Sequence, residues 1–144
     1  MAKKQKEEIV SKLKNINELA VQYNISPENI TVKTVLEKIQ ETLEYYIKIL
    51  TQILQPEEFF SLQECAAFTE LDKESVFDMY KDLMILHREI LKSEIGNDEK
   101  EMIATINYAD SEIIRYRPRM IGIVQKMQDS WKSTKTKGKI GYFG

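Results

Sequence analysis

Apolar residues recur at intervals of three and four along nearly the whole chain, the spacing that gathers them on one face of an α-helix. Ile9, Leu13, Ile16, Ala20 and Tyr23 form the first such stripe. The run "NISPEN" interrupts it, with Ser26 placed to cap and Pro27 suited to a first helical position. Val32, Leu36, Ile39, Leu43, Tyr46, Leu50 and Ile53 form a second, longer stripe that ends at Pro56. A short segment, 57 to 69, leads to "ELDKES", where Asp72 is the expected N-cap. From there Val76, Tyr80, Leu83, His87, Ile90 and Leu91 trace another face, up to Gly96, which is placed as a C-terminal cap.

The last stripe carries the most information. Met102, Ile106, Ala109, Ile113, Tyr116, Met120, Val124 (or Ile123), Met127 and Trp131 keep phase through Pro118. If the helix ended at that proline, nothing would hold the downstream residues in register. The pattern therefore predicts one kinked helix of about 30 residues, with Gly122 easing the bend. Beyond Trp131 it gives way to "KSTKTKGKIGYFG", which reads as a flexible basic tail. The β-branched run "ENITVKTV" is absorbed by the helical stripe that follows it. The predicted fold is all-α: a bundle of four or five helices over residues 1–131 and a flexible tail over 132–144.

Composition narrows the class without naming a function. A chain of 144 residues fits one domain and can bury a core without disulfide or metal support. Three prolines and five glycines are few, which favours helices over strand-rich folds. Cys65 is the single cysteine, so no internal disulfide forms and a reducing compartment is expected. The start, "MAKKQKEE", is charged and unlike a signal peptide, and no apolar run is long enough to cross a bilayer. These features predict a cytoplasmic protein with no integral membrane contact.

Charge changes the picture more. The formal net charge is −2, but residues 113–144 carry eight basic side chains against Asp129 alone, a net +7. Residues 1–14 carry five lysines and two glutamates, a net +3, which leaves −12 for the middle. A basic end on an acidic body suits an anionic partner: nucleic acid, anionic lipid or an acidic protein. The same layout also lets acidic and basic faces attract each other, within one molecule or between copies.

One stretch has a recognisable shape. In "SLQECAAFTELDKESVFDMYKD", residues 61–82, Leu62 occupies a first packing position and Ala66 a small crossing position. Leu71 follows the turn, and Val76 and Met79 fall where a second helix packs back. Over residues 62–80 the segment resembles the helix-turn-helix of small transcription regulators and excisionases, a module also used by phage terminase small subunits. The resemblance implies DNA contact through the second helix. The turn position usually held by glycine is Glu70, and the second helix presents Asp72, Glu74 and Asp78 beside Lys73 and Lys81, a net negative surface facing phosphates.

The basic C-terminal third is the better candidate for an anionic ligand. Arg115 and Arg119, four apart, project from one side of the helix, while Arg117 points elsewhere. Arginine forks bind phosphate bidentately, and Tyr116 is an aromatic neighbour that also fits the core stripe. Lys126, Lys132, Lys135, Lys137 and Lys139 extend the cationic run, and Tyr142 and Phe143 are placed to stack on bases or fill a partner's pocket. Arg115 and Arg119 are equally suited to salt bridges with the acidic body.

Catalytic and cofactor chemistry finds little support. His87, the one histidine, lies on an apolar stripe with Leu83 and Ile90, where a satisfied core histidine is expected. A zinc site needs more histidine and cysteine, and a di-iron bundle site needs paired Glu-x-x-His motifs, whose glutamate position is taken here by Met84. No glycine-rich phosphate loop or nucleophile elbow occurs, and Cys65 is expected to be a small buried core residue. A non-enzymatic protein without cofactor or metal is expected. Two readings remain: an accessory nucleic-acid-binding protein using the basic C-terminal helix and tail, or a protein–protein adaptor or assembly subunit, possible as a homo-oligomer. The mark of the second is an exposed apolar seam on the last helix.

Overall fold

In a computed structural model the chain is described over residues 16–133. Five helices occur in this span: α1 (Ile16–Gln22), α2 (Val32–Leu54), α3 (Phe59–Cys65), α4 (Glu70–Gly96) and α5 (Glu99–Lys132), with a single 3-10 turn at Pro27–Asn29. No strand is present among the described residues, so the all-α expectation holds. Ile9 and Leu13, the first part of the first stripe, lie outside the described residues.

The ends of the long helices follow from local chemistry. Thr31 caps α2 in a reciprocal box: its hydroxyl accepts from the Thr34 amide at 3.1 Å, and its own amide donates to Thr34 Oγ1 at 2.7 Å. Thr69 does the same for α4, accepting from the Asp72 amide at 3.1 Å and donating its amide to Asp72 Oδ2 at 2.9 Å. Asp72 is therefore the third helical residue and not the N-cap expected for it. Gly96 is likewise the last residue of α4; the left-handed capping residue is Asn97, φ 53°. Asparagine tolerates that conformation because its short polar side chain stays clear of the turn. Asp98 then caps α5, accepting from the Lys100 amide at 3.0 Å. A two-residue link of this kind turns α5 back antiparallel to α4.

Three long helices enclose one core. Val35, Leu36, Ile39, Leu43, Leu50 and Ile53 of α2 are buried, facing Val76, Met79, Leu83, Leu86 and Ile90 of α4. Met102, Ile106, Ala109, Ile113, Tyr116, Met120 and Met127 of α5 complete the interior. Leu36 and Met102 share one end of the bundle with Glu94, while Trp131 reaches Glu64 of α3 at the other. Helices α2 and α5 thus run in the same direction, and α4 runs against both.

Helix α5 is continuous through Pro118, as its unbroken stripe predicts. Proline has no N–H for the carbonyl of Ile114, but Ile114 and Pro118 both lie on the exposed face, where water can satisfy that oxygen. Of the two candidates for the core position after Met120, Ile123 packs against the interior and Val124 faces out.

Candidate functional site

The basic residues of α5 mostly face partners inside the molecule. Arg115 Nη2 lies 2.5 Å from Glu112 Oε2, and its guanidinium sits 4.3 Å from the centre of the Tyr116 ring. The hydrogen bond to Glu112 holds the guanidinium pKa above its usual value. Arg119 crosses to α4, where Nη2 donates to Ser75 Oγ at 2.6 Å and to the Ser75 carbonyl at 3.3 Å. Lys126 also crosses, reaching Asp72 Oδ2 at 2.5 Å with its ammonium 5.2 Å from the Phe68 ring centre. Asp72, receiving Lys126 and the Thr69 amide, has its carboxyl pulled down to about 2. Lys132 pairs with Asp129 at 3.8 Å. Arg117 is exposed and makes no ion pair among the described residues. Lys135, Lys137, Lys139, Tyr142 and Phe143 lie outside the described residues.

Cations here act as clamps. Arg119 and Lys126, seven apart on α5, each hold a residue in the first two turns of α4. Tyr116 Oη, three residues before Arg119, donates to Asp82 Oδ2 at 2.6 Å. Burial, then this hydrogen bond, raises the tyrosine pKa. Across the α4–α5 boundary one basic side chain, Lys126, thus meets an acidic one, Asp72, within the molecule.

Around the helix-turn-helix resemblance, α3 and α4 are joined through Ala66–Thr69, and Val76 and Met79 are buried as the pattern implies. Leu62, Ala66 and Leu71 are exposed, and Glu70 opens α4 without a left-handed backbone. The outward face of the first turns carries Glu70, Glu74 and Asp78.

Among the described residues, α5 takes part in two uncovered apolar surfaces. One is an open groove of about 690 Å³ between α4 and α5, where exposed Ile85 and Tyr108 lie among Asp82, Glu89, Glu112 and Arg115. The other runs along the outer edge of α5. Ile121 is 63% exposed, Ile114 and Val124 are each 44% exposed, and Trp131 is 42% exposed. With Arg117 and Gln128, both exposed, these four residues fall at steps of three, four, three, four and three. Such spacing is that of a coiled-coil seam, which turns one continuous edge towards a second helix. At its C-terminal end the indole N–H of Trp131 donates to Glu64 Oε2 at 2.9 Å, and Phe60, one turn before Glu64 on α3, is also exposed.

Sequence reasoning missed Ile114 and Ile121 and placed Trp131 in the core. For Ile114 and Ile121 the signal was present, since both are out of phase with the buried stripe; Trp131 keeps the step from Met127, but Ser130 takes the buried position. It also missed Asp110, a buried carboxylate whose Oδ1 accepts from Tyr23 Oη at 2.7 Å and Gln22 Nε2 at 2.9 Å, fastening the end of α1 to α5. Burial and the bond to Asp110 push the Tyr23 pKa up.

His87 is buried as expected; its Nε2 lies 3.2 Å from Glu44 Oε1 and its Nδ1 2.7 Å from Arg88 Nη1. Since the guanidinium can only donate, Nδ1 accepts and Nε2–H donates. Cys65 is half-buried, where a buried residue was expected; α3 is short and lies at the end of the bundle, and the thiol donates to the Ile53 carbonyl at 3.1 Å. Among the described residues no cluster of three or more metal-ligating side chains occurs, and no helix is long and apolar enough to cross a membrane. Comparison with known protein families, characterised proteins and solved structures finds no match.

Proposed function

We propose that this protein is an assembly or adaptor subunit that docks through the outer edge of α5. The observation that carries the reading is the uncovered seam of Ile114, Ile121, Val124 and Trp131 on a helix whose opposite face is fully used by the core. These four medium-to-large apolar side chains fall in coiled-coil register along one edge of the helix, with Arg117 and Gln128 between them. Arg119 and Lys126, which would lead a phosphate-binding surface, hold α4 instead.

A native-extract measurement tests this. The chain should migrate in a complex above its own 16.9 kDa, and Ile121→Asp should return it to monomer size. Arg115→Gln with Arg119→Gln should leave the complex intact. The opposite pattern, loss with the arginines and retention with Ile121→Asp, would replace the apolar seam with an electrostatic contact.

The second reading, contact with nucleic acid or another anionic partner through Arg117, Lys132 and the residues beyond, is supported by the net +7 of residues 113–144 and by the exposure of Arg117. Duplex and single-stranded DNA binding over a salt series, comparing the full chain with one ending at Trp131, tests it. Binding that falls steeply with salt and is lost on truncation supports the basic end. No binding by either chain at low salt removes this reading.

A further inference from the structure

The order of residues along the α5 seam says what fits it. From Ile114 to Trp131 the six positions run apolar (Ile114), polar (Arg117), apolar (Ile121), apolar (Val124), polar (Gln128), apolar (Trp131). That order is the same from either end. An antiparallel contact between identical helix edges, across a two-fold axis perpendicular to them, is matched by this property, because each residue meets the residue equally far from the axis on the other copy.

Resting on the docking reading above, we propose that the occupant of the seam is the α5 seam of a second copy, packed antiparallel about an axis between Ile121 and Val124. Ile121 then faces Val124 of the second copy, Arg117 faces Gln128, and Ile114 faces Trp131. Every apolar position meets an apolar one. The guanidinium of Arg117, which has no ion pair among the described residues, finds an acceptor in the carboxamide oxygen of Gln128, so its burial does not leave it without a hydrogen bond. A parallel, in-register pair would instead set Arg117 against Arg117, placing like charges inside the contact.

The remaining surroundings are compatible with close approach. Positions flanking the seam on its solvent side are Pro118 and Gln125, both exposed and uncharged, and at its end Lys132, which pairs with Asp129 of its own helix. The seventeen helical steps from Ile114 to Trp131 span about 26 Å, a short seam, so the contact belongs to the smaller and weaker class of interfaces. A dimer that exchanges with monomer at micromolar concentrations is the expected species.

Sedimentation equilibrium and cysteine cross-linking of the purified full chain test the proposal together. The chain should show a monomer–dimer equilibrium, and Ile121→Asp should raise the dissociation constant at least about a hundredfold, since the residue is buried twice per dimer. Its circular dichroism should be unchanged, because Ile121 lies outside the core. In a Cys65→Ser background, an equimolar mixture of Arg117→Cys and Gln128→Cys chains should form a disulfide-linked pair under mild oxidation. Neither variant should link to itself, because its two copies stand eleven residues apart along the seam, about 16 Å. Self-linking of Arg117→Cys would show a parallel pair and overturn the arrangement. A chain that stays monomeric at several hundred micromolar would overturn self-association, while the native-extract measurement would still decide separately whether the seam docks another protein.

Discussion

Asp110 shows what a single polar residue contributes and why it is hard to foresee. A carboxylate on a helix ordinarily faces water, but here it lies in the interior edge of α5, where it receives Gln22, the last residue of α1, and Tyr23 just after it. Removing it leaves the Tyr23 hydroxyl buried without its acceptor. Asp110→Ala should therefore lower unfolding stability by about 2 kcal/mol, and Asp110→Asn, which keeps an acceptor, by less. Urea titration of the two variants measures the difference; equal losses would mean that the clasp does not depend on the acceptor. Arg119 was open in sequence to two roles, phosphate ligand or intramolecular partner, because its charge is legible there but its reach across to Ser75 is not. Arg119→Ala should cost about 1 kcal/mol of stability. Asp72 gives a pH signature. Its folded pKa, about 2, lies below the ordinary carboxylate value, so its contribution is present above about pH 4 and is lost as pH falls towards 2. Asp72→Asn should be less stable than the parent at neutral pH, with a gap that closes on acidification and narrows in salt; a gap independent of pH would contradict the Lys126 pairing.

At the scale of elements, the interior stripes were legible because burial is what enforces a period of 3.6. Leu36, Ile39, Leu43, Leu50 and Ile53 all lie in the core, as do Val76, Leu83 and Ile90 on α4 and Met102 through Met120 on α5. Helix ends were less legible. Thr31 and Thr69 cap because each has a partner three residues on that returns the bond, while Asp72 and Gly96, the more conspicuous residues, take neighbouring roles. The continuity of α5 through Pro118 was legible from phase alone. Gly122 is a different matter: a Cβ built there meets nothing within 4 Å, and its φ is not positive, so nothing within the fold requires glycine. Gly122→Ala should raise stability by about 0.5–1 kcal/mol, the ordinary helix-propensity difference. Thermal or denaturant unfolding of this variant checks the space around α5 directly, and a loss of stability would mean that the position is crowded.

Over the whole molecule, the sequence displays a charge separation that suggests an external anion, and the folded chain meets part of that charge internally. Glu112, Ser75, Asp72 and Asp129 receive Arg115, Arg119, Lys126 and Lys132. Composition alone could not reveal this, because it records how many charges each end carries and not which of them meet. The outer edge of α5 was hidden for the opposite reason. Ile114, Ile121 and Val124 look like ordinary helix residues until the buried face is known, and only then do they stand out as apolar positions left over. The proposed docking role rests on their exposure. The most direct measurement is sedimentation equilibrium of the full chain at about 0.1 M and about 1 M NaCl, where charge–charge attraction is first partly and then almost wholly screened. Self-association through the apolar α5 seam predicts a dimer that persists or tightens in high salt; a monomer at both concentrations, or a dimer that dissociates as salt rises, would contradict it.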